Sequence, residues 1–190
     1  MPKPTFASTF RSQIEILIGF VALMWVLEIA DQFLLGRSLD LYGIMPRNLL
    51  GLRGILFSPF LHGGFGHLSA NTIPFMVLGW LIMVRQTRDF WCVTAIVMLI
   101  SGLGVWLLAA SNTVHIGASG LIFGYFGFLL LRSYFERSPA SIALSLLVIF
   151  LYGGLIWGVL PLQSGVSWEG HLFGFMGGAV AARLLTEEGK

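Results

Sequence analysis

Residues 117–131 read GASGLIFGYFGFLLL, an apolar run that carries Ser119 between small residues at its start. A second apolar run, HLFGFMGGAVAA at residues 171–182, begins with His171. A hydroxyl and an imidazole are both costly to place in hydrocarbon, so each needs a hydrogen-bonding partner or a chemical purpose. We interpret Ser119 and His171 as partners of each other, carried by two neighbouring helices.

The amino-acid composition excludes a water-soluble globular domain. Of the 190 residues, 56% are hydrophobic and 11% are charged, and the mean hydropathy is +0.86. Because so few charges cannot cover a surface in water, we predict an integral membrane protein in contact with a lipid bilayer. The net charge of +2, from 11 Lys and Arg against 9 Asp and Glu, is small and dispersed, which argues against a nucleic-acid partner.

The single cysteine and the first apolar run exclude some kinds of site and of processing. The single cysteine, Cys92, excludes an intrachain disulfide and a multi-cysteine metal site, and we expect it to pack as a small apolar residue. The first apolar run is long and contains Glu28 and Asp31, so it is expected to be a retained anchor rather than a cleaved signal.

Six apolar stretches approach the roughly 20 residues that a membrane-spanning helix needs. They predict an all-α polytopic bundle with spans at 14–35, 68–84, 90–110, 119–131, 140–160 and 168–185. These spans form one membrane domain (14–185) between a short N-terminal tail (1–13) and a C-terminal tail (186–190). Basic residues cluster in the tails and in the second and fourth connections, so both termini are predicted to be cytoplasmic.

The fourth predicted span is unusually short. At about 1.5 Å per residue, residues 119–131 reach only about 20 Å, against a hydrocarbon core of about 30 Å. If Arg132 holds the cytoplasmic end, Ser119 lies roughly 10 Å below the opposite surface. The preceding segment, Ser111 to Ala118, must then dip into the bundle beside a polar pocket, where the helix N-terminus offers N–H groups to an oxyanion.

Glycines in the two apolar runs allow close helix packing. Small residues at intervals of three or four positions let membrane helices approach to backbone contact. These positions are Gly117, Gly120, Gly124 and Gly127 in the first run, Gly170 just before the second run, and Gly174 and Gly178 within it. Such packing is expected to bring the His171 ring to Ser119.

Structural roles are the competing interpretation of the two polar residues. Ser119 can cap a helix, and His171 can form a hydrogen bond within a core. Taken singly, each residue fits either interpretation equally well. The pair together with the short span favours a serine–histidine dyad, in which a neutral histidine activates the weakly nucleophilic serine as its general base.

A third polar cluster lies in HGGFGHLSAN, residues 62–71. His67 and Asn71 are four residues apart, so on a helix they project from one face. Both side chains can donate to an oxyanion, where a well-aimed hydrogen bond is worth roughly 3 kcal/mol in the transition state. His62 is expected to anchor the loop instead.

These motifs resemble the rhomboid family of intramembrane serine proteases. The resemblance rests on FLHGGFGHLSAN, GASGLIFG and GHLFGFMGG, which occur in the family's order and span nearly the whole six-helix core. It implies Ser119 as the nucleophile, His171 as the base, and His67, Asn71 and the Ser119 backbone N–H as the oxyanion site. It also implies a bacterial plasma-membrane protein with its active site toward the extracytoplasmic side.

One site position departs from the family pattern. Many bacterial members have a tyrosine one turn after the nucleophile, whereas this chain has Phe123. Phenylalanine keeps the ring face for stacking on the histidine and lacks the hydroxyl. No aspartate is available to complete a triad, and Glu169 is expected to face away from His171.

Other segments are expected to support the site rather than to react. The loop from Arg37 to Gly66 resembles the family's bracing first loop, in which Arg47 and Arg53 tie to headgroups or backbone carbonyls. Residues 161–167 are expected to cap the dyad, and the aromatic fifth span, with Tyr152 and Trp157, to border substrate entry.

The sequence therefore predicts a serine endopeptidase that cleaves transmembrane protein substrates without a cofactor or metal. The main alternative is a catalytically silent rhomboid-like protein that binds membrane clients, although such relatives usually lack the serine or the histidine. A transporter is disfavoured because the chain shows no inverted repeat. A metal hydrolase is disfavoured because the four histidines match no ligand motif. The oligomeric state is left open.

Overall fold

A computed structural model describes residues 5–162 and 165–187. Within these residues the regular structure is helical, and the only strand-like pairing is an isolated bridge between Ile44 and His115. The α-helices are α1 (Phe6–Phe33), α2 (Gly54–Phe57), α3 (Phe65–Met83), α4 (Thr87–Leu108), α5 (Ser119–Glu136), α6 (Pro139–Tyr152) and α7 (Trp168–Glu187). Short 3₁₀ turns cover Leu39–Tyr42, Leu49–Arg53, Ser58–Phe60 and Gly153–Val159.

Four of the described helices are long and apolar enough to cross a membrane. They are α1, α3, α4 and the stretch Pro139–Val159, which joins α6 to the 3₁₀ turn after it. The helices α5 and α7 are not among these four, so the predicted count of six spans is not confirmed. Both helices carry charged residues, among them Arg132 and Glu136 in α5 and Glu169 and Arg183 in α7, which lower their mean hydropathy. Helix α5 packs against α3, α4, α6 and α7.

Two predicted helix ends differ from the structure. Helix α1 begins at Phe6 rather than at residue 14, because the Thr5 side chain caps it by accepting from the Ser8 N–H at 3.3 Å. Helix α5 begins at Ser119, as predicted, but the predicted end at residue 131 is wrong, since the helix continues to Glu136. Its length alone therefore does not place Ser119 below the membrane surface.

Arg132 explains why α5 continues. Its side chain is buried rather than held at a water interface, and it donates to Asp89 at 2.9 Å and to Glu136 at 3.0 Å. A paired and hydrogen-bonded cation can remain within a packed helix. The helix ends only where Arg137 adopts a left-handed conformation, at φ 55°.

Helices α5 and α7 approach to backbone contact. A Cβ added at Gly174 would strike the Gly120 carbonyl group, and one added at Gly178 would strike the Gly124 carbonyl oxygen. Only glycine at these two positions permits so close an approach of the helix backbones, as small residues at regular intervals do in other membrane helices. The starts of α5 and α7 are thereby held side by side.

The segment between α1 and α3 braces this bundle. Arg47 donates to the Leu107 carbonyl at 2.9 Å and to the Ala109 carbonyl at 2.8 Å, at the end of α4. Arg53 lies over the Tyr42 ring at 4.2 Å and donates to the Leu41 carbonyl at 3.1 Å. Both arginines therefore bind backbone carbonyls, which is one of the two roles expected for them.

Candidate active site

Ser119 is the first residue of α5 and lies half-buried beside the bundle core. The N-cap is Ala118, which provides no side-chain hydrogen bond, so the interpretation of Ser119 as an N-cap is wrong. The first N–H groups of an α-helix have no partner within the helix. The start of α5 therefore presents donors next to the serine hydroxyl.

The loop before Ser119 is fixed by the segment that precedes α3. The Gly117 N–H donates to the Ser58 carbonyl at 2.9 Å, and the Ala118 N–H donates to Nε2 of His62 at 3.3 Å. His62 is 2% exposed, and burial, with the charge of His67 second, lowers its pKa from 6.5 to about 4. The ring therefore stays neutral near pH 7, and Nε2 keeps the lone pair that accepts from the loop.

His67 and Asn71 meet at Gly117. A Cβ on Gly117 would lie 2.6 Å from the His67 ring and 3.7 Å from Nδ2 of Asn71. Gly117 also has a φ of 118°, which favours glycine, so this residue serves both the turn and the contact. Nδ2 of Asn71 is buried and, within the described residues, has no acceptor. A buried donor without an acceptor can bind a ligand atom that reaches it.

His171 lies in the first turn of α7 and is 7% exposed. Its ring stacks on Phe123 with the centroids 3.9 Å apart and the planes at 5°. Its Nδ1 is 2.9 Å from the Gly158 carbonyl oxygen, in the 3₁₀ turn after α6. The imidazole is therefore held on its face by α5 and at its edge by the end of α6.

The two residues of the predicted dyad lie on contacting helices. Phe123 is one turn after Ser119, so both project from the same side of α5, and His171 covers the Phe123 end of that side. In the part of the chain that the structure describes, no hydrogen bond joins Ser119 to His171. Catalytic hydrogen bonds often tighten only when substrate is bound.

Several polar contacts at the site were not anticipated from the sequence. The Ser101 hydroxyl donates to the Gly170 carbonyl at 2.9 Å, which ties α4 to the start of α7. His115 is 2.7 Å from the Ser167 hydroxyl, so the loop before α5 is tied to the end of the predicted cap. Residues 163 and 164 of that cap lie outside the described residues. The glycine-rich turn after α6, Gly153–Val159, was the available signal for the contact with His171.

A cavity of about 30 Å³ lies between α2, α4 and the start of α5, where Ser58 and Ser101 contribute hydroxyl groups to its lining. Ser119 is not among the residues that line it. That volume is sufficient for a water molecule with polar partners. Among the described residues, no group of three or more His, Cys, Asp or Glu could hold a metal ion.

The fold and composition define a polytopic helical membrane protein. A model of the rhomboid domain matches residues 50–188, which include all the candidate site residues, so the chain belongs to the rhomboid family.

Two of the following three similar proteins carry the rhomboid name. An uncharacterized protein of Mycobacterium tuberculosis (strain ATCC 25618 / H37Rv) is 45% identical over 178 residues, which cover 90% of this chain and 74% of that protein. The "Putative rhomboid protease YdcA" of Bacillus subtilis (strain 168) is 31% identical and covers 70% of this chain and 67% of its own length. "RHOMBOID-like protein 5" of Arabidopsis thaliana is 31% identical over 198 residues, which cover 93% of this chain and 63% of that protein. These similarities support an intramembrane protease at the level of the family.

Proposed function

We propose that the protein is a serine endopeptidase that cleaves transmembrane segments of membrane proteins through Ser119 and His171. The observation that carries this proposal is the stack of His171 on Phe123, one turn from Ser119, on helices in backbone contact at Gly120 and Gly174. In the proposed reaction, the serine rotamer or the ring moves to form the reactive hydrogen bond. The proposal assigns a nucleophile, a base and hydrogen-bond donors to this side of α5.

The proposed reaction is acyl transfer. His171 accepts the proton of the Ser119 hydroxyl while Oγ attacks the carbonyl carbon of the substrate. The carbonyl oxygen becomes an oxyanion, which accepts hydrogen bonds from the Ser119 N–H, from Nδ2 of Asn71 and from His67. The imidazolium then gives its proton to the departing amine, and the C–N bond breaks. Water attacks the resulting ester in the same way and regenerates Ser119.

The substrate is proposed to be a membrane-spanning helix. Its peptide carbonyls are already hydrogen-bonded, so local unwinding must precede attack, and helix-destabilising residues near the cleaved bond favour cleavage. Entry beside α6 is supported by the apolar surface there, since Phe150 is 86% and Trp157 is 67% exposed. We further propose six spans, with both termini cytoplasmic and the site toward the extracytoplasmic side of a bacterial plasma membrane.

A fluorophosphonate probe on the purified protein in detergent tests the proposal. Wild type should be labelled, whereas Ser119→Ala and His171→Ala should not. Ser133→Ala is the matched control, because Ser133 lies on the same helix and donates to the Leu130 carbonyl at 2.8 Å, away from the site. Labelling that persists in Ser119→Ala would exclude this nucleophile.

The client-binding alternative has one observation in its favour, the missing hydrogen bond between Ser119 and His171 among the described residues. It expects a folded wild-type protein that neither reacts with the probe nor cleaves a transmembrane substrate. Unfolding measured by circular dichroism on the same samples separates that outcome from a misfolded preparation.

A further inference from the structure

We propose that the main-chain carbonyl of Gly158 is the third member of the active site, which holds His171 in the tautomer and orientation that a general base requires. This inference rests on the proposed function, in which His171 deprotonates Ser119. It assigns to a glycine, at the end of a different helix, the positioning role that a carboxylate has in serine hydrolases with a triad.

The tautomer follows from the hydrogen bond. Nδ1 of His171 is 2.9 Å from the Gly158 carbonyl oxygen, and a carbonyl oxygen only accepts. Nδ1 must therefore carry the hydrogen, so in the neutral ring Nε2 has the free lone pair. A histidine with its lone pair on Nε2 can accept the serine proton at that atom, whereas the opposite tautomer cannot. The bond thus selects the reactive form of the ring.

The ring is fixed in two directions at once. Phe123 stacks on its face at 3.9 Å, which prevents tilting, and Gly158 binds its edge, which prevents rotation in the plane. In the described part of the chain, no carboxylate forms a hydrogen bond with the ring. A neutral carbonyl suits this location, because a carboxylate buried without full pairing carries a large desolvation penalty.

A side chain at position 158 would collide with the Phe123 ring. A Cβ there would lie 2.5 Å from Cζ of Phe123 and 3.4 Å from Nδ1 of His171. The first distance is too short for any side chain to be accepted without a shift of the ring or of the 3₁₀ turn. By contrast, a Cβ on Gly154, in the same turn, would meet nothing within 4 Å. Gly154 therefore offers a matched control for the same substitution.

Nitrogen-15 NMR of the histidine rings tests the tautomer directly. The chain has 4 histidines, and comparison with a His171→Gln sample assigns the His171 signals. In Ser119→Ala protein, the neutral ring should show a protonated Nδ1 and a bare Nε2. Gly158→Ala should shift the ring toward a mixture of tautomers, whereas Gly154→Ala should leave the signals in place. If the neutral His171 ring of the Ser119→Ala protein carries its hydrogen mainly on Nε2, the proposal is overturned.

The rate of fluorophosphonate labelling tests the consequence. Gly158→Ala should react about 10- to 100-fold more slowly than wild type, since a base displaced by a fraction of an ångström loses a large part of its effect. Gly154→Ala should remain within about two-fold of wild type. Adding Phe123→Leu to Gly158→Ala removes the Cζ that the new methyl group strikes, so it should return the NMR signals toward a protonated Nδ1.

The two proposals fail differently. A folded wild type that is as unreactive as Ser119→Ala would contradict the proposed function, while the NMR experiment would still decide the tautomer. A reactive wild type for which Gly158→Ala matches Gly154→Ala in both labelling and NMR signals would contradict the role of Gly158 alone.

Discussion

Gly174→Ala should weaken both the bundle and the reaction, because it separates the two helices that carry Ser119 and His171. The new methyl carbon would lie 3.1 Å from the Gly120 carbonyl carbon and 3.3 Å from its Cα, and closer still to the oxygen. All of these atoms are backbone, so no side-chain rotation can relieve the overlap. The helices must move apart by roughly 1 Å to restore van der Waals contact.

The expected size of the effect follows from that displacement. Overpacking typically costs 1–3 kcal/mol, and we expect about 2–3 kcal/mol here because the atoms that the methyl group strikes are all main chain. A misplacement of about 1 Å at a reacting pair lowers the rate by about 100-fold. The free energy of unfolding, measured by denaturant titration in micelles, and the rate of fluorophosphonate labelling provide the two readouts.

Gly19→Ala is the matched control, since a Cβ at Gly19 in α1 meets nothing within 4 Å. Alanine in place of glycine within a helix should leave stability unchanged or raise it by up to about 1 kcal/mol, with no effect on labelling. The reasoning about helix contact is refuted if Gly174→Ala is as stable and as reactive as Gly19→Ala.

Three further outcomes are expected. Asn71→Ala should slow labelling or cleavage by about 100- to 1,000-fold, because it removes a donor to the oxyanion. Thermal stability should change little, since within the described residues Nδ2 has no acceptor to lose. A parallel loss of stability would contradict the oxyanion role. The pKa of His62 is lowered from 6.5 to about 4, so as the pH falls the unfolded chain binds a proton at this residue before the folded protein does. The stabilisation that the neutral ring gives to the folded protein is therefore complete above pH 6.5 and is lost as the pH falls toward 4. Between pH 7 and pH 5, wild type should therefore lose about 2 kcal/mol of unfolding free energy that a His62→Gln variant does not lose, and equal slopes would count against it. Arg132→Gln should lower the free energy of unfolding in denaturant titration by about 3–5 kcal/mol, because it leaves the buried carboxylate of Asp89 without its partner. Arg11→Gln should lower it by less than about 1 kcal/mol, since that side chain is 82% exposed. Similar losses in the two variants would show that burial of the ion pair does not matter here.

The sequence was sufficient to predict those features of the structure that depend only on composition or on residues close together in the chain. Composition alone decides the membrane class, because so few charges cannot solvate a surface. The start of α5 at Ser119 was predicted correctly from the apolar run that this residue heads. The same applies to the helical face shared by His67 and Asn71, whose spacing of four residues is one helical turn.

Tertiary contacts decided what lies beyond local rules. Arg132 reads as a membrane boundary in the sequence, yet it is buried because Asp89, 43 residues earlier, neutralises it, and α5 therefore continues to Glu136. The contact between His171 and Gly158 spans 13 residues and depends on where a 3₁₀ turn places one carbonyl oxygen. The residue types and their spacing along each helix are local properties, so the sequence determined which groups can react. Their meeting depends on the packing of distant segments, so only the tertiary structure decided which atoms orient them.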